Sequence, residues 1–251
     1  MLTIAHLSDT HLDGGSRSTG RAMSVANYLR DLPGSVDAIV VTGDIADNGE
    51  ASEYEMAQAI FSFDCPVFFC PGNHDHRQEF VRGLLASPSP DSAGDDDSPV
   101  NQVCRAGGVI FAMCDSTIAG QVEGYLSDDT LGWLDGVLTE NADCPALICF
   151  HHPPVMLHAP FVDSLRQGGT DRLERVIAKH PQVAAILSGH AHTAAATTFA
   201  GRPLRVAPGV VSTLRLPWES GGPFDDELPP ALAFHVIDDD ARLTTHYRSL
   251  P

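Results

Sequence analysis

Five short apolar segments constrain the fold of this chain more than any other feature of its 251 residues. Each is of strand length and mostly apolar, which is typical of a β-strand buried on both faces. Polar segments long enough for helices lie between the first three and around the last two. This alternation predicts an α/β protein. The five segments are "LTIAHLS" (2–8), "DAIVVTG" (37–43), "CPVFFC" (65–70), "CPALICF" (144–150) and "VAAILSG" (183–189).

A second series of segments has the pattern of strands with antiparallel or mixed pairing, and it predicts that the strands of this chain form two sheets.

The segments between and around the strands are read as helices and loops. Ser127, followed by two acidic residues, is a typical helix N-cap. The segment 86–100 is rich in Pro, Ser and Asp and is interpreted as a long exposed loop. Because the strand series continues across it, we expect a single domain spanning 1–251. Amphipathic helices are predicted at 50–63, 127–138 and 171–180, and strands with antiparallel or mixed pairing at 107–116, 202–210, 231–240 and 242–249.

Each of the five apolar segments is closely followed by residues that can bind a metal or move a proton. Parallel strands place their C-terminal ends at one edge of a sheet, where α/β proteins bind ligands. Oxygen and nitrogen donors without thiolates are typical of sites for hard or borderline metal ions. Any one fragment alone is more simply a solvated loop or a turn, but their ordered recurrence favours a metal site. The residues are Asp9 and His11, Asp44, Asn73 with His74 and Asp75, His151 and His152, and His190 and His192.

The motifs that carry these residues, "DTH", "GDIAD", "GNHD", "HH" and "GHAH", resemble the ordered motifs of the calcineurin-like metallophosphoesterase superfamily. The resemblance runs from residue 9 to residue 192 and misses no ligand position. Together the motifs are highly specific for the fold and for a dinuclear site, and much less specific for the substrate. Within the superfamily, the chain most resembles the class III cyclic nucleotide phosphodiesterases and their relatives, which include glycerophosphodiesterases. The resemblance implies an α/β fold, a four-layer αββα sandwich of two mixed β-sheets flanked by helices.

The resemblance also implies a role for each matched residue. Asp44 would bridge two divalent or mixed-valence ions, for which nitrogen and oxygen ligands suit manganese, iron, zinc or cobalt. His151 rather than His152 is taken as a ligand because it comes directly after its strand, although the sequence leaves this choice open. His74 would be the catalytic imidazole and Asp47 the acid that pairs with it. The first ion would be held by Asp9, His11, Asp44 and His192, and the second by Asp44, Asn73, His151 and His190.

The charge balance of the chain limits the partners it can bind. It has 33 acidic and 15 basic residues and a formal net charge of −18, which argues against long nucleic acids. A phosphate substrate therefore needs a local source of positive charge. Two divalent ions would supply it, because they carry more charge than Asp9 and Asp44 return. They would also clamp the phosphoryl group and generate hydroxide as the nucleophile.

These expectations converge on an enzyme that hydrolyses small phosphodiesters, 3′,5′-cyclic nucleotides among them, by attack of a metal-bound hydroxide. Phosphomonoesters, glycerophosphodiesters and nucleotide-linked pyrophosphates are alternative substrates. A non-catalytic scaffold with the same fold is a further alternative. It would show eroded ligand positions, and no ligand position is eroded in this sequence.

Targeting and redox features favour the cytoplasm. The chain lacks an apolar run of about 18 residues, so no membrane span is expected. Its first residues lack the charged and apolar regions of a signal peptide. The six cysteines form no CxxC pair and are interpreted as buried, reduced thiols.

The walls of the substrate pocket are expected to come from residues 12–22, 153–170 and 210–228. Segment 214–230 is rich in Pro and Gly. It is a candidate lid or homodimer contact, with Trp218 as its anchor.

Five histidines outside the motifs are assigned by their local context. His6 lies within the first apolar segment and is predicted to be a core residue whose nitrogens are satisfied. His180 and His246 are predicted to lie at the surface. His76 and His158 follow motif loops, and the sequence leaves open whether they line the pocket or face solvent.

Overall fold

Two mixed β-sheets form the centre of the molecule in a computed structural model that describes residues 1–85 and 98–250. The first sheet consists, in spatial order, of β15 (Leu243–Ser249), β14 (Ala231–Ile237), β1 (Leu2–Leu7), β2 (Ala38–Thr42) and β3 (Val67–Cys70). The second consists of β10 (Ala195–Phe199), β11 (Arg202–Val206), β9 (Val183–Ser188), β7 (Ala146–Cys149), β5 (Val109–Met113) and β4 (Gln102–Ala106).

The five apolar segments of the sequence are all strands, and they form the parallel centres of the two sheets. In the first sheet β1, β2 and β3 are parallel, and β14 pairs with β1 in the antiparallel sense. In the second sheet β5, β7, β9 and β11 are parallel, with β4 and β10 as antiparallel edges. The predicted division into two mixed sheets is therefore confirmed.

Six helices and two short strand pairs, one antiparallel and one parallel, complete the described part of the chain. Ser127 caps the fourth helix, as predicted, because its side chain accepts a hydrogen bond from the Thr130 N–H. The helices are α1 (Ser16–Arg30), α2 (Ala51–Ile60), α3 (Arg77–Leu84), α4 (Asp128–Glu140), α5 (Pro160–Asp163) and α6 (Thr170–Ile177). The short pairs are β12 (Thr213–Leu214) with β13 (Phe224–Asp225) and β6 (Gly124–Tyr125) with β8 (Gln167–Gly168).

Strand alternation divides the core into layers. Ile4 on β1 faces the second sheet, whereas its neighbours Ala5 and Leu7 face the helices α1 and α2. Burying one such aliphatic side chain contributes about 1.5–3 kcal/mol. The layer between the sheets includes Ile4, Val40, Phe68, Phe111, Leu147 and Leu187. Another group of buried apolar side chains joins α4 and α6 to the outer face of the second sheet. The order helix, sheet, sheet, helix confirms the predicted αββα sandwich.

Two predicted surface features need correction or fall outside the description. His180 is buried, with 6% of its surface exposed, because its Nε2 lies 2.8 Å from Asp135 Oδ1 against helix α4. His246 on β15 is exposed, as predicted. The predicted loop at 86–100 lies outside the described residues except for 98–100. No helix within the described ranges is long and apolar enough to cross a bilayer.

Candidate metal centre

The loops that follow the parallel strands of both sheets meet at one edge of the sandwich. Within the first sheet the Asp9 and His11 N–H groups donate to the carbonyls of Gly43 and Asp44, at 3.1 and 3.0 Å. Between the sheets the His190 N–H donates to Asp9 Oδ1 at 3.1 Å. The predicted residues from five separate loops are thereby brought to one place.

The backbone at this edge is strained where the predicted ligands lie. Five of the seven have a positive φ: Asp9 (57°), His11 (41°), Asp44 (49°), His190 (65°) and His192 (49°). The left-handed region costs a residue with a side chain on the order of 1–3 kcal/mol and persists only where the surroundings enforce it. Such strain is concentrated at functional sites, because it aims side chains that an ordinary strand end would point elsewhere.

Two motif glycines allow the loops to approach closely. A Cβ on Gly72 would clash with the Asp44 side chain and backbone. A Cβ on Gly189 would clash with Ser8 Oγ and would lie 2.7 Å from the Thr42 carbonyl. The glycines that begin the GNHD and GHAH motifs are therefore required for contact between loops rather than for a turn alone.

Asp44 lies at the centre of the polar cluster. Its Oδ2 is 3.5 Å from His11 Nε2 and 3.2 Å from His151 Nε2, so one oxygen faces residues from both sheets. Its Oδ1 accepts a hydrogen bond from the His74 N–H at 2.9 Å. Asp9 Oδ1 lies 3.5 Å from His192 Nε2 and 4.0 Å from His151 Nε2.

The imidazoles around Asp44 turn one nitrogen inward and bond the other to the protein. His11 Nδ1 donates to Asp47 Oδ1 at 3.0 Å, and His151 Nδ1 donates to the Thr42 carbonyl at 2.7 Å. His192 Nδ1 lies 2.8 Å from Ser212 Oγ. The inward Nε2 atoms of His11 and His192 are only 3.2 Å apart. An outward N–H donated to the protein leaves the inward nitrogen as a lone pair, which is the form that binds a metal.

Three buried polar atoms of the cluster have no hydrogen-bond partner among the described residues: Asp9 Oδ2, Asn73 Oδ1 and His190 Nε2. Burying a polar atom without a partner costs on the order of 1–3 kcal/mol, and more when it is charged. All three belong to predicted ligands. The unpaired atoms and the nitrogen–oxygen donor set both fit bound cations.

The geometry separates the two adjacent histidines that the sequence left open. His151 turns its Nε2 toward Asp44 and toward His190 Nδ1, at 3.2 Å from each. The His152 ring lies close enough to His151 and His190 to form a group of three possible metal ligands with them. Its nitrogens, however, already contact Ser116 Oγ (2.8 Å) and the Val122 carbonyl (3.0 Å). A neutral imidazole with both nitrogens paired has no lone pair left for a metal, so this arrangement favours His151.

The sequence profile of the calcineurin-like phosphoesterases matches residues 2–194 of this chain. The chain belongs to this family. It is 29% identical to the glycerophosphodiester phosphodiesterase GpdQ of Enterobacter lignolyticus, over 93% of this chain and 86% of that protein. It is 31% identical to the cAMP/cGMP dual specificity phosphodiesterase MT0825 of Mycobacterium tuberculosis, over 87% of this chain and 70% of that protein. The superfamily predicted from the motifs is therefore confirmed.

A solved structure agrees with the fold of this calcineurin-like phosphoesterase. A dimetal phosphatase from Danio rerio has a TM-score of 0.71 to this chain, with 18% identity, and the alignment covers 99% of this chain and 96% of that one. Its likeness concerns the fold alone. The family uses a dinuclear metal centre, and the Asp and His groups described above fit one.

Burial and charge act in opposite directions on the ionisable groups of this phosphoesterase site. Burial raises the pKa of Asp9 to about 6. Burial alone would lower the pKa of His151, but Asp44 and Asp9 outweigh it and raise that pKa to about 9. Burial and the neighbouring imidazole of His151 lower the pKa of His190 to about 3. Without cations, protons bound to groups such as His151 therefore balance part of the negative charge of the cluster. Cations would compete with these protons for the same atoms.

Asp47 makes a different contact from the one the family pattern implies. Its carboxylate Oδ1 is hydrogen-bonded to His11 Nδ1 at 3.0 Å and lies 3.6 Å from His74 Nδ1. His74 Nδ1 instead donates to the Asp47 backbone carbonyl at 2.8 Å. The hydrogen bond from His11 lowers the pKa of the Asp47 carboxyl. Asp47 thus orients both imidazoles, one through its side chain and one through its backbone.

Asp75, the acid of GNHD, has a positioning role that the sequence did not assign. It accepts hydrogen bonds from the backbone N–H groups of Gly72 (2.8 Å), Ala46 (3.0 Å) and Ile45 (3.2 Å), and from the Tyr54 hydroxyl (3.2 Å). These bonds join the loop that carries Asp44 to the loop that carries Asn73. Ser212, the partner of His192, was also missed, because nothing in its local sequence marks it.

The cluster opens into a cavity of about 360 Å³. Each predicted wall segment contributes to it, for example Asp13, Phe161 and Ser212, and Val122 is a lining residue that the sequence missed. The Trp218 ring does not pack against the cavity, because 78% of its surface is exposed. The aromatic residue of that segment that reaches the site is Phe224.

Proposed function

We propose that this chain is a dinuclear metallophosphodiesterase that hydrolyses small phosphodiesters. The observation that carries the proposal is the position of Asp44 Oδ2, within 3.5 Å of a histidine nitrogen from each sheet. A shared carboxylate is a compact means of holding two cations side by side. When bound, two such ions supply positive charge for the phosphoryl group and lower the pKa of a bound water.

The proposed ligands divide into two sets that share Asp44. Each set contains at least one of the unpaired atoms, Asp9 Oδ2 in the first and Asn73 Oδ1 and His190 Nε2 in the second. Mn, Fe, Zn and Co all suit imidazole, carboxylate and amide donors, as divalent ions or a mixed-valence pair. The first set is Asp9, His11, Asp44 and His192, and the second is Asp44, Asn73, His151 and His190.

His74 is the proposed catalytic imidazole. Its side chain is 40% exposed and lines the cavity, beside the ring of His11. Because Nδ1 donates to the Asp47 carbonyl, Nε2 is the nitrogen available to a substrate. In its protonated form Nε2–H would donate to a phosphoryl oxygen or to the departing alkoxide, which is general acid and electrostatic catalysis.

The substrate class is proposed from the relatives together with the charge of the chain. One relative is named as a glycerophosphodiesterase and another as a cAMP/cGMP phosphodiesterase. Both names describe small phosphodiesters, and 3′,5′-cyclic nucleotides are the first candidate. A net charge of −18 disfavours long nucleic acids, whose phosphates would be repelled outside the site.

Two further expectations stay predictions. Six free cysteines support a reducing compartment such as the cytoplasm. A homodimer contact through segment 214–230 would use the exposed ring of Trp218, and the mass of the native protein in solution tests it.

The proposal is tested by metal analysis combined with a substrate panel. The protein loaded with Mn²⁺, Zn²⁺, Co²⁺ or Fe²⁺ should contain two ions and hydrolyse diesters faster than 4-nitrophenyl phosphate. His74→Ala should keep both ions and lower kcat about 10²- to 10⁴-fold, whereas the exposed His246→Ala should leave kcat unchanged. A protein that binds two ions but hydrolyses no phosphoester would instead support the non-catalytic scaffold.

A further inference from the structure

The cavity in front of the metal cluster has two chemically different sets of lining residues. The polar set includes the cluster itself. The apolar set, called the apolar wall below, comes from three separate stretches of chain. Its residues are Val122, Phe161, Val162, Leu165, Val211 and Phe224. A volume of about 360 Å³ lies in the range of small-ligand sites, which combine apolar walls with a few polar groups.

Two phenylalanines form the aromatic part of this apolar wall. The rings of Phe161 and Phe224 meet edge to face, with centroids 5.6 Å apart and an interplanar angle of 89°. The Phe224 ring lies 5.0 Å from the imidazole of His192, so the aromatic surface begins directly beside the cluster. Phe161 is 49% exposed, although it lines a cavity. Its free ring surface is therefore available to a bound molecule.

Hydrogen bonds hold the backbone segments that carry both rings, and the edge-to-face contact joins the rings themselves. Phe224 lies on β13, where the guanidinium of Arg215 donates to the Phe224 carbonyl at 2.6 Å and to Asp225 Oδ2 at 2.5 Å. Phe161 lies on α5, whose Asp163 accepts the Leu157 N–H at 2.6 Å. Pre-positioned aromatic rings bind with a smaller loss of conformational entropy than mobile ones.

The charges around the cavity indicate what kind of group it accepts. Among its lining residues in the described part of the chain there is no Lys or Arg, whereas Asp13 and Asp47 outside the proposed ligand sets are acidic. A second phosphate or a carboxylate on the substrate would be desolvated there without a cationic partner. The group that enters the apolar part must therefore carry no negative charge. Aromatic rings gain about 0.5–1.5 kcal/mol from stacking or edge contacts beyond simple burial.

We propose that Phe161 and Phe224 form a subsite for one ester substituent of the phosphodiester, and that this subsite selects a neutral planar ring, such as a nucleobase or an aryl group. The inference rests on the proposed function, because it places the scissile phosphate at the metal cluster. It makes Phe161 and Phe224 specificity-determining residues and ranks ring-bearing diesters above glycerol-based ones.

Steady-state kinetics with Mn²⁺ and three substrates test the subsite: bis(4-nitrophenyl) phosphate, 3′,5′-cyclic AMP and glycerophosphocholine. Phe224→Ala and Phe161→Ala should each lower kcat/KM for the two ring-bearing diesters about 10-fold. Both should leave glycerophosphocholine within about twofold. Trp218→Ala, on the same hairpin but outside the cavity, should change no substrate by more than about twofold.

The second variant Phe224→Leu separates ring recognition from folding, because it keeps an apolar side chain. It should retain the metal content and thermal stability of the wild type and still lose most of the preference for ring-bearing diesters. A Phe224→Leu protein with wild-type preference would overturn the subsite.

The remaining outcomes separate the subsite from the proposed function. A wild-type enzyme that hydrolyses glycerophosphocholine as well as the ring-bearing diesters, or better, would overturn the subsite and leave the phosphodiesterase function standing. Such a preference would indicate that the two rings bind a quaternary ammonium group instead. A metal-loaded wild type that hydrolyses none of the three substrates would overturn both.

Discussion

Two groups of buried histidines differ in whether the protein supplies a hydrogen-bond partner to every ring nitrogen. In the core, His6 on β1 and His235 on β14 lie fully buried beside each other, with His6 Nδ1 3.0 Å from His235 Nε2. His6 Nε2 contacts Thr42 Oγ1 and His235 Nδ1 contacts Thr245 Oγ1, each at 2.9 Å. The prediction that His6 is a satisfied core residue is confirmed.

A single assignment of protons satisfies the whole core pair. The Thr42 hydroxyl donates to the Leu7 carbonyl at 3.5 Å, so Thr42 Oγ1 accepts from His6 Nε2–H. His6 Nδ1 then accepts from His235 Nε2–H, and His235 Nδ1 accepts from the Thr245 hydroxyl. Both rings are neutral and every nitrogen has a partner.

The histidines of the metal cluster are also largely buried, with 7% of the surface of His190 and 6% of that of His192 exposed. His190 Nε2, however, has no hydrogen-bond partner within the described residues. Burial of an imidazole therefore does not distinguish a structural residue from a ligand. The pairing of its nitrogens does, because protein groups complete the core pair whereas a cation is required to complete the cluster.

The largest effect should come from removing the oxygen on which the cluster converges. Asp44→Asn keeps the shape of the side chain but removes its charge and presents an amide to the histidines. We expect kcat/KM for bis(4-nitrophenyl) phosphate to fall on the order of 10³-fold or more. Metal content, measured by elemental analysis, should fall below two ions per chain. Two retained ions with near wild-type turnover would contradict the bridging role.

Metal removal should lower stability, because cations complete the cluster only in the folded state. The free energy of unfolding in urea should fall by about 3 kcal/mol after treatment with a chelator, as for a ligand at about 100 times its Kd. Adding Mn²⁺ or Zn²⁺ should restore it. In Asp44→Asn the same addition should give a much smaller gain. Identical urea midpoints with and without metal would show that the unpaired atoms are satisfied in another way.

Asp47→Asn tests whether the carboxylate orients a ligand or only the catalytic imidazole. Because Asp47 Oδ1 accepts from His11 Nδ1, its loss should weaken metal affinity about 10- to 100-fold, measured by competition with a chromogenic chelator. The His74 contact uses the Asp47 backbone and should persist. Asp135→Asn is a matched control, since that carboxylate bonds His180 away from the site. Equal metal affinity in wild type and Asp47→Asn would show that the Asp47 carboxylate does not support His11 as a ligand, and that Asp47 acts only on His74.

The sequence predicts most reliably what is encoded locally. The strand β2 (Ala38–Thr42) is a mostly apolar run that is visible in the sequence, and the residues that follow a strand necessarily lie at its end. This is why Asp44 and His190 were correctly expected at one edge. Two sheets with parallel centres then need only pack face to face for their loops to meet.

Contacts between distant segments could not be predicted in this way. Ser212 bonds His192 from 20 positions along the chain, and His180, which follows α6, is bonded to Asp135 on α4. The pattern assigned Asp47 to His74, but its carboxylate reaches His11, because side-chain direction depends on the packing of two loops. Phe224 was overlooked beside Trp218, since composition alone cannot tell which aromatic ring of a hairpin turns inward.

The smallest effect concerns the core pair, which should make the protein sensitive to acid independently of the metals. Burial lowers the pKa of His235 to about 3 and that of His6 well below its ordinary value. In the unfolded chain both rings take up protons near pH 6.5. Their stabilising contribution is therefore complete above pH 6.5 and is lost progressively as the pH falls toward 3.

The double variant His6→Leu/His235→Leu should remove this sensitivity. Between pH 7 and pH 6, in the presence of a chelator, the wild type should lose about 1 kcal/mol more unfolding free energy than the double variant. His235→Leu alone leaves His6 Nδ1 buried without a partner. At pH 7 this single change should therefore lower the free energy of unfolding by more than half of the loss caused by the double change. Parallel pH profiles for wild type and double variant would mean that the pair accepts a proton in the folded state, and that the two histidine groups differ less than their hydrogen bonds indicate.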